Sequence, residues 1–148
     1  MEEMLEDVSD IEWEIYATDI NTDVLKKAEE GLYSQRAVRL VPEEYKKRYL
    51  YKKGEFYEVV PELKKKVTFF QLNLMDAAEM RKMRNFDVIF CRNVLIYFDD
   101  ASRRQVAIYF YEALVEGGYI FLGHSESMSR ITPIFKLRKY KNAFVYQK

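Results

Sequence analysis

Short apolar runs recur along the chain, each bounded by polar or turn-forming residues, and their lengths and periods predict alternating strands and helices. Glu14-Ile15-Tyr16-Ala17-Thr18 reads as a short strand ending at Asp19. Asn21 and Thr22 are capping residues for a helix with Asp23 in its first turn, and Gly31 stops it beyond Val24, Leu25 and Ala28. Pro42, Glu43 and Glu44 suit the first turn of a helix carrying Tyr45, Tyr49 and Leu50. Residues 51–60 alternate loosely around Gly54, as a small hairpin does, and Pro61 closes it. Val67 to Leu72 reads as a strand ending at Asn73. Phe86 to Cys91 is nearly continuous apolar sequence ending at Arg92-Asn93, the pattern of a strand buried on both faces. Asp99 or Asp100 caps the clearest helix, with Val106, Tyr109, Phe110, Ala113 and Leu114 on one stripe and Gly117-Gly118 at its end. Tyr119 to Leu122 is a further buried strand, running into Gly123-His124-Ser125-Glu126, and Phe135–Tyr140 and Ala143–Gln147 pair antiparallel across Lys141-Asn142. Strands alternating with helices imply right-handed crossovers and an α/β fold with a mostly parallel sheet.

Composition narrows the function. At 148 residues the chain suits one domain, and 12 Tyr, 10 Phe and one Trp supply a core, so global disorder is excluded. Lys+Arg and Asp+Glu are both 24, which argues against a dedicated nucleic-acid binder because phosphate neutralisation needs a basic excess. One cysteine, Cys91, rules out a disulfide framework and fits a reducing cytoplasm. No apolar run approaches the roughly 20 residues of a membrane span, and the acidic Met1-Glu2-Glu3-Met4 is not a secretory signal. The glycines fall at 31, 54, 117, 118 and 123, so a GxGxxG turn is absent and a nicotinamide-dependent oxidoreductase becomes a distant alternative. Residues 1–14 hold seven acids and no base, and residues 130–148 six bases and no acid. Solvated element ends or a docking surface for an oppositely charged partner both account for that asymmetry.

In open α/β sheets, ligands bind outside the carboxyl ends of the parallel strands. Four predicted strands end in polar residues: Asp19, Asn73, Arg92-Asn93 and His124-Ser125-Glu126. Asp19 suits two hydrogen bonds from a ribose diol, or is an ordinary turn acid. Asn73 presents its amide to an adenine edge or bridges a turn. Arg92, at the end of an expected central strand, is either paired or facing a ligand, because burying it unpaired costs several kcal/mol. Tyr97 is by default a core aromatic. Cys91 reads as a buried strand thiol and His124 as a hydrogen-bonded loop histidine. A single histidine builds no multi-His metal site, so no metal is expected.

The string Phe86-Asp87-Val88-Ile89-Phe90-Cys91-Arg92-Asn93-Val94-Leu95-Ile96-Tyr97-Phe98 resembles the signature of the CheR family, S-adenosylmethionine-dependent methyltransferases of bacterial chemotaxis receptors. Ala17-Thr18-Asp19-Ile20-Asn21 resembles that family's acidic second-strand motif, and Gln71-Leu72-Asn73-Leu74 its Asn-Leu motif. Gly118 to Glu126 resembles its following strand and loop. The resemblance implies a Rossmann-like methyltransferase sheet and methyl transfer onto glutamate side chains of chemoreceptors, from S-adenosylmethionine with S-adenosylhomocysteine as product. It implies that Asp19 holds the ribose hydroxyls, that Asn73 and Leu74 line the adenine pocket, that Arg92 and Asn93 contact the cofactor, and that Tyr97 sits near the transfer point; a guanidinium can also hold a carboxylate, and Arg92 is preferred as the group that orients the substrate. Residues 49–67 match the small β-subdomain inserted in this family, which contacts the receptor's cytoplasmic domain.

The family's first strand and its Gly-containing loop have no counterpart in residues 1–148, so the resemblance implies a partial catalytic domain. That strand lies between the strands ending at Asp19 and Cys91, and without it two edges are left unpaired. The expectations are a sheet that closes up, a second polypeptide in the gap, or a fragment of a longer cytoplasmic protein whose upstream segment completes it. A non-catalytic remnant that binds chemoreceptors as an interaction module is the alternative to an enzyme.

Overall fold

The computed structural model describes residues 11–140 and 143–148, in two compact units meeting between Gln71 and Leu72. Lys141-Asn142, the expected link between the last two strands, and most of the acidic N-terminal run lie outside the described residues.

In the first unit, β1 (Ile15–Asp19) pairs in parallel with β5 (Val67–Gln71), with Asp19 level with Gln71. Tyr16 and Phe70 meet edge to face across the pair at 5.9 Å. Between them runs α1 (Thr22–Glu30), which packs against both strands and buries Leu25. The Asn21 side chain accepts the Asp23 and Val24 N–H groups, satisfying two of the donors a helix start leaves without partners. Gly31 ends the helix in the left-handed region (φ 65°), donating its N–H to the Ala28 carbonyl.

A separate antiparallel sheet follows, in the order β2 (Leu32–Ser34), β4 (Phe56–Val59), β3 (Leu50–Lys53). The β3–β4 hairpin around Gly54 is the one expected, and α2 (Glu43–Tyr49) precedes it. The third strand, Leu32–Ser34, extends the sheet beyond the expected 49–67 span. Glu58 accepts from Lys53 (2.8 Å) and Lys64 (3.3 Å), and Lys64 also donates to the Glu30 carbonyl, which ties the short helix α3 (Pro61–Lys64) to the end of α1.

In the second unit, after the single turn α4 (Ala77–Met80), the sheet order is β6 (Phe86–Cys91), β7 (Leu114–Leu122), β9 (Ala143–Gln147), β8 (Lys136–Tyr140). β6 and β7 are parallel, and β9 pairs antiparallel with both β7 and β8. The helix α5 (Asp100–Ala113) crosses from β6 to β7, capped by the Asp99 side chain on the Ser102 N–H. Its buried stripe of Val106, Ala107, Phe110 and Ala113 lies against β7, whose Ile120 is fully buried.

Two expectations change here. The helix ends at Ala113 rather than at the glycine pair, because Leu114 already pairs with Phe86 as the first residue of β7. Gly117 and Gly118 instead serve an irregularity in the β6–β7 register, Gly117 at φ 81° and Gly118 where a Cβ would sit 3.1 Å from the Asp87 carbonyl oxygen. The parallel pairs belong to separate sheets, and among the described residues β1 pairs only with β5 and β6 only with β7, which leaves the two unpaired edges that the sequence led us to expect. The second change is that β6, at the edge of its sheet among the described residues, is not buried on both faces. Phe90 is 65% exposed although it stacks on Phe121 at 4.9 Å.

Candidate functional site

Asp19 closes β1 half-buried. One carboxylate oxygen accepts the Asn21 N–H (2.8 Å), which shapes the turn into α1, and the other has no hydrogen bond from a described residue. The Gln71 side chain donates to the Ile20 carbonyl (2.9 Å), pinning the same turn from the end of β5. Asp19 is thus both a turn residue and an acid with one oxygen to spare.

The remaining sequence-derived residues all lie in the second unit. Asn73 is exposed, and its side-chain oxygen accepts the Met75 N–H (3.0 Å) while its backbone N–H goes to Glu79 (3.0 Å). The turn-bridging role is therefore real, and the amide nitrogen is still able to donate. Leu74 beside it is half-buried.

Arg92, Asn93 and Tyr97 share one loop beyond the end of β6, whose last three residues form a single 3-10 turn, Leu95–Tyr97. Cys91 is level with Leu122, so this loop and the Gly123–Ser127 turn leave the sheet side by side. Arg92 is exposed, which corrects the argument that it must be paired to offset burial. At the end of an edge strand the guanidinium keeps its water. Tyr97 is 83% exposed and is no core aromatic. Asn93 adopts φ 60°, a left-handed conformation that asparagine tolerates better than most residues.

Glu126, which the sequence marked only as one of the polar residues closing a strand and gave no role, holds this loop. The Glu126 carboxylate accepts four backbone N–H groups: Asn93 (2.8 Å) and Gly123 (2.8 Å) on Oε2, Leu95 (2.9 Å) and Val94 (3.2 Å) on Oε1. Arg103 adds a second tie, donating from Nε to the Leu95 carbonyl (2.8 Å) while Nη1 reaches Asp100 (3.1 Å). A cavity of about 390 Å³ lies against this corner, lined by Leu95, Arg103, Arg104, Glu126 and Arg130 among others. Cys91 is buried below the loop, and burial first, then the Glu126 charge, push its thiol up to about 12, so it is no nucleophile. His124 is exposed with no hydrogen bond to a described residue, contrary to its expected role. Among the described residues no group of three or more His, Cys, Asp or Glu could hold a metal ion.

Each unit thus carries one parallel strand pair with polar residues at its carboxyl end, the arrangement of an α/β protein in which ligands bind beyond the strand ends. The comparisons make that class specific. The model described as "CheR methyltransferase, SAM binding domain" matches residues 1–144, and the chain belongs to the CheR methyltransferase family. It is 44% identical to Chemotaxis protein methyltransferase 2 of Vibrio cholerae over 139 residues, 93% of this chain and 48% of that protein. It is 36% identical to the Chemotaxis protein methyltransferase of Escherichia coli over 130 residues, 85% of this chain and 45% of that protein. For the Borreliella burgdorferi protein of the same name the identity is 41% over 115 residues, 77% of this chain and 40% of the relative. The chain thus spans about half the length of the curated relatives it matches.

Proposed function

We propose that this chain holds S-adenosylmethionine for methyl transfer to glutamate side chains in the cytoplasmic domain of bacterial chemoreceptors, in chemotaxis adaptation. The observation that carries the proposal is the match of residues 1–144 to the family's SAM-binding domain. The local chemistry agrees. The oxygen of Asp19 that Asn21 leaves unused accepts from a ribose hydroxyl, the Asn73 amide nitrogen donates to an adenine edge, and Leu74 offers apolar surface to the ring. Arg92 and Asn93 contact the cofactor from their loop, and Tyr97 stands near the reacting methyl. The protein works in the cytoplasm, and no helix among the described residues is long and apolar enough to cross a membrane. Residues 49–67 and the strand Leu32–Ser34 form the β-subdomain that meets the receptor.

The cofactor supplies a methyl group on a positively charged sulfur. A glutamate carboxylate is already ionised at pH 7, with a reference pKa near 4.3, so no general base is needed. Bound S-adenosylmethionine would give up that methyl to the carboxylate and leave as S-adenosylhomocysteine, so a methyl ester would result with no proton moved. What the chain contributes is alignment. Arg92 orients the carboxylate without a grip tight enough to blunt its attack.

The test is calorimetric titration of S-adenosylhomocysteine. Asp19→Ala removes a charged hydrogen-bond acceptor, a change of about 1.5–3 kcal/mol, and is expected to weaken binding roughly ten- to hundredfold. Unchanged affinity removes Asp19 from the site. Receptor binding without methyl transfer would favour the interaction module over the enzyme.

A further inference from the structure

Glu126 is a carboxylate with no ion pair to a described residue, and its acceptor sites are taken up by backbone. A carboxylate offers about four lone-pair sites, and the N–H groups of Asn93, Val94, Leu95 and Gly123 fill that number. Three of these donors are consecutive residues of the Arg92–Tyr97 loop, and the fourth begins the turn beyond β7. One side chain therefore joins the ends of two parallel strands.

The backbone is shaped for this. Consecutive N–H groups converge on a single anion only where the chain departs from regular conformation, and the left-handed Asn93 supplies that departure. Gly123 supplies the room. A Cβ there would stand 2.5 Å from Glu126 Oε2 and 2.6 Å from Asn93 Oδ1, so only glycine lets the two strand ends approach this closely. A strained residue, an obligatory glycine and a saturated carboxylate all meet at one loop, and that loop carries Arg92, Asn93 and Tyr97.

We propose that Glu126 is a positioning residue for methyl transfer: it fixes the Arg92–Tyr97 loop in its working conformation before any ligand arrives. This rests on the assignment of that loop to cofactor and substrate made above. Glu126 itself touches neither. Its action is to replace the water that would otherwise bind three amides of the loop and that of Gly123, so that the loop is built in advance.

Glu126→Gln is the informative variant, made in the protein as the cell produces it. Glutamine has the same shape and volume, but whichever way its amide lies, an NH2 faces two N–H donors that have lost their acceptor. A side chain needed only for packing would tolerate the change. The expected result is a kcat lowered roughly 10- to 100-fold, the loss typical of misplaced reacting groups, with weakened S-adenosylhomocysteine binding and a largely unchanged KM for the receptor. Should Glu126→Gln not fold, amide hydrogen exchange in the unsubstituted protein decides. The Asn93, Leu95 and Gly123 amides are expected to be protected without cofactor, and exchange at free-loop rates overturns the proposal. So does a Glu126→Gln protein with kcat and affinity within twofold of the original. An unsubstituted protein that binds no S-adenosylhomocysteine, yet protects these amides, would instead overturn the assignment of the loop to the cofactor.

Discussion

The close approach at Gly123 yields a stability prediction of calculable size. Replacing this glycine by alanine adds one methyl group, whose carbon would lie 2.5 Å from Glu126 Oε2, 2.6 Å from Asn93 Oδ1 and 2.9 Å from the Asn93 nitrogen. One of these neighbours is the Asn93 backbone and one the Glu126 carboxylate held by four N–H groups, so moving the exposed Asn93 side chain relieves only part of the clash. Overpacking of this kind costs about 1–3 kcal/mol. Glu126 must also retreat from the Asn93 and Gly123 N–H groups, and losing a hydrogen bond to a charged group removes about 1.5–3 kcal/mol where water cannot replace it. The Asn93 bond is exposed and water partly compensates, which sets the expected total at about 2–4 kcal/mol.

Gly117 is the control. Its φ of 81° strains an alanine, but the nearest atom to the added Cβ is 3.8 Å away, so only the conformational term of about 1–2 kcal/mol applies. Urea unfolding of the two variants separates clash from strain, and Gly123→Ala is expected to be the less stable. In a Glu126→Ala background, part of the Gly123→Ala penalty should vanish, with a coupling of at least about 0.5 kcal/mol. Equal costs for the two glycine variants, or strict additivity with Glu126→Ala, would refute the close-packed corner.

Two titrations follow from the same structure. Glu58 is held down to about 2, chiefly by the Lys53 ammonium and next by the Tyr51 hydroxyl. Its folded value is depressed, so its stabilisation of the small sheet is present above the ordinary 4.5 and is lost as pH falls towards 2; carboxyl-carbon NMR should show the low midpoint, and Lys53→Ala should raise it. Cys91, pushed up to about 12, should alkylate about a thousandfold more slowly at pH 8 than a free thiol of pKa near 8.5, and labelling of the folded protein at the free-thiol rate would show that the strand end is open.

Elements governed by neighbours in sequence were legible in the sequence. Asn21 and Gly31 bound α1, and Asp99 starts α5, because each acts on backbone groups two to four positions away. The strand-end positions of Asp19, Asn73 and Arg92 were legible for the same reason, since apolar runs end where solvent begins. What escaped depends on partners distant in the chain. Leu32–Ser34 has no buried face and no alternation, and it is a strand only because Phe56–Glu58 runs alongside it. Leu114 fits the helical stripe of α5 and is buried either way, so its burial could not reveal that pairing with Phe86 claims it for β7. The environment of Arg92 depended on β6 lying inside a sheet, a matter of pairing that its own apolar run does not specify. Glu126 is the sharpest case. Its partners at 93–95 lie more than 30 positions upstream, and as the last of three polar residues it looks like loop. The available signal was indirect: a lone glycine at the end of a strand, three residues ahead of an acid, marks a place where backbone and carboxylate come too close for any side chain between them. A polar residue that closes a strand is visible from its own segment, whereas one that joins two strands becomes visible only when both are in place.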